Sequence, residues 1–156
     1  MSRTDSASLV IPAQPGEIFA AMTGRDALEQ WLPPTGMTGR FEHFDARPGG
    51  SYRLVLSYDA VHGGSGKTTP GSDVVDVRFV AIEPDTRVVQ AVDFESDDPR
   101  FTGTMTMTWV LQATEGGTRV EIRADDVPPG ISAEDHAAGL TASLENLADY
   151  VAAVDT

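Results

Sequence analysis

The chain of 156 residues contains no cysteine, no long apolar run and little positive charge. The absence of cysteine excludes a disulfide framework, a thiolate metal site and a cysteine nucleophile. No run of about 18 apolar residues occurs, so no membrane span is predicted. The first eight residues lack the charged and then apolar segments of a secretory leader. We therefore expect a cytoplasmic location.

Basic residues are scarce. The chain has 11 Lys and Arg but 24 Asp and Glu, which gives a net charge of −13. Nucleic-acid binding requires a cationic footprint, so no nucleic-acid partner is predicted. The same charge disfavours attraction to an anionic membrane surface. The acidic residues are scattered and do not have the spacing of a calcium loop. We interpret the charge as a contribution to solubility.

Groups that carry chemistry are also few. The three histidines belong to no Gly-x-Ser-x-Gly nucleophile motif; they are His43, His62 and His136. No cluster of histidine and carboxylate side chains has a spacing typical of a metal site. We therefore assign no catalytic residue, no metal and no cofactor from the sequence.

The patterns that are present predict one α+β domain over residues 1–156, with its core between residues 7 and 154. A hydrophobic share of 40% is ordinary for a globular chain of this length. The order of patterns is a short strand, two short helices, six strands and a long C-terminal helix. A glycine-rich loop at residues 59–72 is predicted to be a mobile flap near the mouth of a cavity.

The long helical pattern runs from Ser132 to Val154, after a break at Pro128-Pro129-Gly130. Ser132 is placed to cap the helix. Apolar residues recur every three or four positions, at Ala133, Ala137, Leu140, Leu144, Leu147, Ala148 and Val151. A helix with one apolar face needs a surface to cover, and the strands supply one. We predict a curved antiparallel sheet of six or seven strands wrapped around this helix, with a cavity between them.

The inner face of that sheet is apolar with a few polar interruptions, as in many ligand pockets. Alternation places His43 on the covered face with Phe41, either bonded to backbone or as a polar anchor for a ligand. Gln90 lies between two valines and has the same two interpretations. The predicted ligand-binding residues, which core packing could equally explain, are Trp31, Phe41, His43, Tyr52, Leu54, Gln90, Met105, Met107, Trp109 and Leu140.

Four stretches of sequence resemble a known family. They are Ile11-Pro12-Ala13 with residues 17–23, residues 28–32 ending in Trp31, Pro48-Gly49-Gly50-Ser51-Tyr52-Arg53, and Gly117-Thr118-Arg119-Val120 with the later His136, Gly139 and residues 143–147. In this order they resemble the bacterial branch of the Hsp90-ATPase-activator-homologue family, within the START-like (SRPBCC) helix-grip superfamily. The resemblance implies the helix-grip fold and carries over no catalytic residue. Many members have tryptophan where this chain has Leu140, so a wider cavity is expected.

Three functions from different classes remain open. The leading hypothesis is a protein that binds a hydrophobic or lipid-like small molecule between the sheet and the C-terminal helix. The alternative is a chaperone-associated interaction module, which the resemblance suggests, and a homodimer is also open. The third is an enzyme of the polyketide-cyclase type that uses His43 or a tyrosine as an acid–base group. An open apolar cavity would favour the ligand-binding protein. A filled core with an apolar outer patch would favour the interaction module. A buried histidine–carboxylate pair in the cavity would favour the enzyme.

Overall fold

The computed structural model describes residues 3–33, 37–58, 72–94 and 103–154. The glycine-rich loop therefore lies outside the described residues, apart from its last position. The described elements, in chain order, are β1 (Asp5–Ile11), α1 (Pro15–Thr23), α2 (Arg25–Trp31), β2 (Met37–Phe44), β3 (Ser51–Tyr58), β4 (Ser72–Glu83), β5 (Arg87–Phe94), β6 (Gly103–Thr114), β7 (Gly117–Asp125) and α3 (Ala133–Val154).

The seven strands form one antiparallel sheet in the order β1-β7-β6-β5-β4-β3-β2. Strands β2 to β7 follow one another as a meander, and β1 pairs with β7 at the far edge. The turn between β2 and β3 depends on two glycines. Gly49 has a φ of +86°, and a Cβ on Gly50 would lie 2.2 Å from the Asp45 carbonyl oxygen. The predicted element order and the predicted antiparallel sheet of six or seven strands are confirmed, and the sheet has seven.

The long helix α3 packs on the sheet through the C-terminal part of its apolar stripe. Ser132 caps it, because the Asp135 backbone N–H donates to the Ser132 hydroxyl oxygen at 3.0 Å. Leu140, Leu144, Leu147 and Val151 are buried in the main core. The prediction is wrong for the first two positions of the stripe, because Ala133 and Ala137 are exposed. None of the described helices is both long and apolar enough to cross a membrane.

The two short helices cover one part of the inner sheet face. The Trp31 indole N–H donates to the Ala21 carbonyl at 2.8 Å, which ties α2 to α1. Helix α2 also holds the edge strand β2 at one residue. Arg25 donates to the Phe41 carbonyl at 3.0 Å, and the Phe41 N–H donates to the Glu29 carboxylate at 3.0 Å. These bonds satisfy edge groups that would otherwise be open to another strand.

The outer face of the sheet carries paired charges. Arg53 pairs with Asp76 across β3 and β4, and Arg78 pairs with Asp93 across β4 and β5, each at 2.8 Å. Hydrogen bonds from Arg78 and then from Thr104 lower the pKa of Asp93 to about 2. One sheet face is therefore polar, as the alternation predicts, and the other faces the helices.

Strand β2 contains a β-bulge that the alternation does not reveal. Phe41 pairs with Leu54 and His43 pairs with Arg53, so the intervening Glu42 has no partner in the register. A bulge inserts one residue and shifts every later side chain in the strand to the opposite face.

The bulge therefore places His43 outside the core. Its Nε2 lies 3.0 Å from the Ser51 hydroxyl oxygen, and both side chains are at the surface. Phe44 takes the inner position instead, and its ring lies 4.8 Å from that of Phe41. The expectation that His43 shares the covered face with Phe41 is wrong because the register shifts between them.

Candidate functional site

A small cavity lies between the two short helices and the inner face of the sheet. Its volume is about 20 Å³, which is room for about one water molecule. Helix residues form one wall and residues of β3, β5 and β6 form the other. The lining residues are Met22, Leu28, Trp31, Leu32, Tyr52, Val88, Gln90 and Trp109. This space is much smaller than the wide cavity expected from leucine at position 140.

Two tryptophans occupy much of the predicted cavity. Trp31 of α2 and Trp109 of β6 meet edge to face, with ring centroids 5.9 Å apart. The Trp109 indole N–H donates to the Gln90 side-chain oxygen at 3.3 Å. An aromatic pair in this geometry adds stability beyond the area that it buries. The tryptophans therefore act as packing residues and as walls of the remaining space.

Tyr52 closes the cavity from the side of β3. Its ring contacts those of Phe41 and Phe79 at centroid distances of 5.1 and 5.7 Å. The residue is only 5% exposed, and burial raises the pKa of its hydroxyl. Among the described residues the hydroxyl has no hydrogen-bond partner. Tyr52 thus brings a neutral polar group to an otherwise aromatic corner.

The structure brings together four of the ten predicted site residues. Trp31, Tyr52, Gln90 and Trp109 line the cavity. Three others are buried in the same core without lining it, namely Phe41, Leu54 and Leu140. Two methionines lie further along β6, and His43 lies at the surface.

The two methionines belong to a different part of the inner face. Met105 is buried in a second, smaller cluster with Ala124 and Val127. Met107 is partly buried and packs against both clusters. Met105 therefore does not share the cavity of the tryptophans, whereas Met107 lies between the two regions.

Four lining residues did not appear among the sequence candidates. They are Met22, Leu28, Leu32 and Val88. The first three lie on the apolar sides of the two short helices. The amphipathic pattern of the two short helices could have identified these three residues, because the apolar side of each helix has to pack on the sheet. Only the packing shows which part of the sheet they cover.

Part of the inner face has no cover in the described residues. Val92 and Met107 are only partly buried, although they point to the same side of the sheet as the buried core. Ala137 is exposed, although it continues the stripe of Leu140 and Leu144. Apolar surface of the sheet and of α3 is thus left accessible beside the closed core.

A larger groove lies away from the sheet, between α1, α2 and the last turns of α3. Its volume is about 290 Å³. It is lined by Glu17, Ala20, Ala21, Ala27, Tyr150 and Val151. Its walls are mostly small apolar side chains, and the one ionisable group other than a tyrosine is a carboxylate. Sequence reasoning did not predict this groove.

A histidine–carboxylate pair joins the start of α3 to β1. His136 Nδ1 lies 2.7 Å from Asp5 Oδ2, and both side chains are largely buried. Arg3 donates to the same carboxylate oxygen at 3.0 Å. Burial by itself would raise the pKa of Asp5, but the bonds from His136 and Arg3 and their charges hold it below its usual value. The pair lines neither of the two spaces described above.

No three histidine, aspartate or glutamate side chains within the described ranges converge in a way that could hold a metal ion. The cavity therefore offers neutral hydrogen-bonding groups and aromatic surface. A space of this size holds about one water-sized group, and its lining provides no evident nucleophile.

A curved antiparallel sheet around one long C-terminal helix, with two short helices after the first strand, is the helix-grip arrangement of START-like proteins. The profile of the family described as Activator of Hsp90 ATPase homolog 1-like protein matches residues 12–152. The chain belongs to this family, as its resemblance predicted. A search of curated proteins found no match.

Solved structures of bacterial proteins show the same fold. A protein of Chromobacterium violaceum is 26% identical with a TM-score of 0.80, and the match covers 95% of this chain and 96% of that one. An AHSA1-like protein of Aeromonas hydrophila is 17% identical with a TM-score of 0.78, covering 98% and 94%. DynU16, from the dynemicin biosynthetic locus, is 21% identical with a TM-score of 0.66, covering 95% of this chain and 46% of that one.

Proposed function

We propose that this protein binds a hydrophobic small molecule between the inner face of the sheet and α3. The observation that carries the proposal is the uncovered apolar surface beside the core. Met107 and Val92 are partly exposed on the inner sheet face, and Ala137 is exposed at the N-terminal end of the apolar stripe of α3. Ligand sites are lined mainly by apolar side chains, and accessible apolar surface next to a core can serve as one wall of such a site.

The closed cavity alone is too small for such a ligand. Ligand pockets usually measure about 300–1,000 Å³, whereas the space beside Tyr52 measures about 20 Å³. The ligand body therefore has to lie along the uncovered surface near Met107. Methionine is flexible and polarisable, so its side chain can move aside to admit an apolar group.

Binding of a fluorescent apolar probe tests the proposal. The wild type should bind the probe, and Met107→Trp should weaken binding at least about tenfold, because the indole fills the groove. Gln112→Trp is the matched control, since residue 112 lies on the same strand and is exposed. Circular dichroism verifies that both variants fold. Absence of binding by the wild type, or equal binding by the folded Met107→Trp variant, refutes the proposal.

A second candidate is a chaperone-associated interaction module, which the family's name suggests. The groove of about 290 Å³ beside Tyr150 supports it, because it is an apolar surface on the helical side of the domain. The test is the ATPase rate of a purified Hsp90-type chaperone with and without the protein. Ala20→Trp, which fills the groove, should abolish any stimulation that the wild type gives.

The enzyme hypothesis receives less support. His43, its proposed acid–base residue, is at the surface, and the pair of His136 and Asp5 lies away from the cavity. Tyr52 is in the cavity, but burial raises its pKa and keeps it protonated. The likeness to DynU16 concerns the fold alone. A homodimer and a cytoplasmic location stay predictions.

A further inference from the structure

We propose that the ligand carries an uncharged hydrogen-bond acceptor, such as a ketone or ester carbonyl oxygen, which the Tyr52 hydroxyl and the Gln90 amide bind together. This inference rests on the proposed function and adds the chemical class of the ligand. It follows from two polar side chains in the small cavity whose donors have no partner among the described residues.

The first of these groups is the side-chain amide of Gln90. An indole N–H only donates, so the group that faces Trp109 at 3.3 Å has to be the Gln90 oxygen. This contact fixes the orientation of the amide and leaves its NH₂ group directed elsewhere. That NH₂ group forms no hydrogen bond within the described residues, and Gln90, which is partly exposed, lines the cavity. The amide therefore presents donors to whatever occupies the space.

The second group is the hydroxyl of Tyr52. The ring is held between Phe41 and Phe79, so the side chain has little freedom to seek a partner elsewhere. The residue is 95% buried and lines the same cavity as Gln90. The hydroxyl forms no hydrogen bond within the described residues, so it can donate to a molecule in the cavity.

The uncharged lining of the cavity favours a neutral ligand group. All eight residues around this space carry uncharged side chains. A carboxylate or an ammonium group would lose its hydration without gaining an opposite charge, which is strongly unfavourable. An uncharged oxygen, by contrast, can accept from both the hydroxyl and the amide. A carbonyl fits this requirement, whereas a pure hydrocarbon leaves both donors unsatisfied.

The size and the neighbours of the cavity fit one oxygen atom at the tip of a larger apolar body. About 20 Å³ accommodates a water-sized group. Gln90 is directly opposite Met107 in the pairing of β5 and β6. The polar tip in the cavity would thus be adjacent to the partly exposed Met107, where the proposed function places the body of the ligand.

Two probes of the same shape test the inference, namely 2-acetylnaphthalene, which has a ketone, and 2-isopropenylnaphthalene, in which carbon replaces the ketone oxygen. Calorimetric titration of the wild type should give about tenfold tighter binding of the ketone, the value of one net hydrogen bond. Tyr52→Phe should remove most of this preference while it still binds the hydrocarbon. Tyr150→Phe is the control, because Tyr150 lines the separate groove between α1, α2 and α3. This variant should leave the preference for the ketone unchanged.

Gln90→Met provides a second variant that removes the amide donors and should also reduce the preference, whether or not Tyr52→Phe folds. Equal binding of the two probes by the wild type overturns the inference but leaves the proposed function intact, because a trapped water would then satisfy the donors. Failure of both probes to bind refutes the inference together with the proposed function. A preference that survives in both folded variants also overturns it.

Discussion

Leu144 is the residue at which the contribution of α3 to stability can be measured most directly. Its side chain is fully buried in the main core. Leu144→Ala should lower the free energy of unfolding by about 2–5 kcal/mol, because it removes buried methyl groups and leaves a cavity. Denaturant unfolding of the variant and the wild type measures this difference.

Thr141→Ala is the control for Leu144→Ala, because Thr141 is exposed on the same helix. Its effect should stay within about 0.5 kcal/mol. A loss below about 1 kcal/mol for Leu144→Ala would mean that the helix contributes little to the core, contrary to the packing described above.

At the scale of elements, the bulge in β2 determines which side chain faces the core. Phe44 packs against Phe41 and Tyr52, whereas His43 is at the surface. Phe44→Ala should therefore cost about 1–3 kcal/mol and His43→Ala about 0.5 kcal/mol or less. Thermal unfolding of both variants makes the comparison. A larger loss of stability for His43→Ala than for Phe44→Ala would contradict the bulge. It would mean that the strand alternates without interruption, with His43 facing the core.

The contact between β1 and the start of α3 should make stability depend on pH. The pKa of Asp5 is lowered in the folded protein, so its contribution is present above the ordinary aspartate value of about 3.9 and is lost as pH falls through the folded value. Asp5→Asn should thus destabilise the protein at neutral pH, and the difference from wild type should shrink towards pH 3.

The test is the free energy of unfolding of wild type and Asp5→Asn at several pH values. Asp149→Asn serves as a control, because Asp149 is exposed on α3. The difference in free energy of unfolding between Asp149→Asn and wild type should vary less with pH than the difference for Asp5→Asn. A constant difference between wild type and Asp5→Asn would show that His136 and Arg3 do not stabilise the charged carboxylate.

At the scale of the whole molecule, the chain is predicted to unfold as one domain. Trp31 and Trp109 report on the contact between α2 and the sheet, since their rings meet at 5.9 Å. Tryptophan fluorescence and far-ultraviolet circular dichroism should therefore give coincident transitions in denaturant. Separate midpoints would show that the helices and the sheet unfold independently.

The sequence by itself determined the order and type of the elements. Alternation along β6 placed Met105, Trp109 and Leu111 on the inner face, and all three are buried. The spacing in α3 identified Leu140, Leu144 and Val151 as its buried stripe. These features could be predicted because hydrophobic periodicity is a local property, which each strand or helix carries within its own residues.

The tertiary structure alone decided what the inner face encloses. The bulge at Glu42 directs His43 away from the inner face, and such a register shift depends on the partner strand. The contact of Trp31 with Trp109 reduced the expected cavity to about the volume of one water molecule. It also left Tyr52 and Gln90 in the lining of this space, each with a donor that has no hydrogen-bond partner among the described residues. Such arrangements depend on how distant segments pack, so no pattern within one segment encodes them.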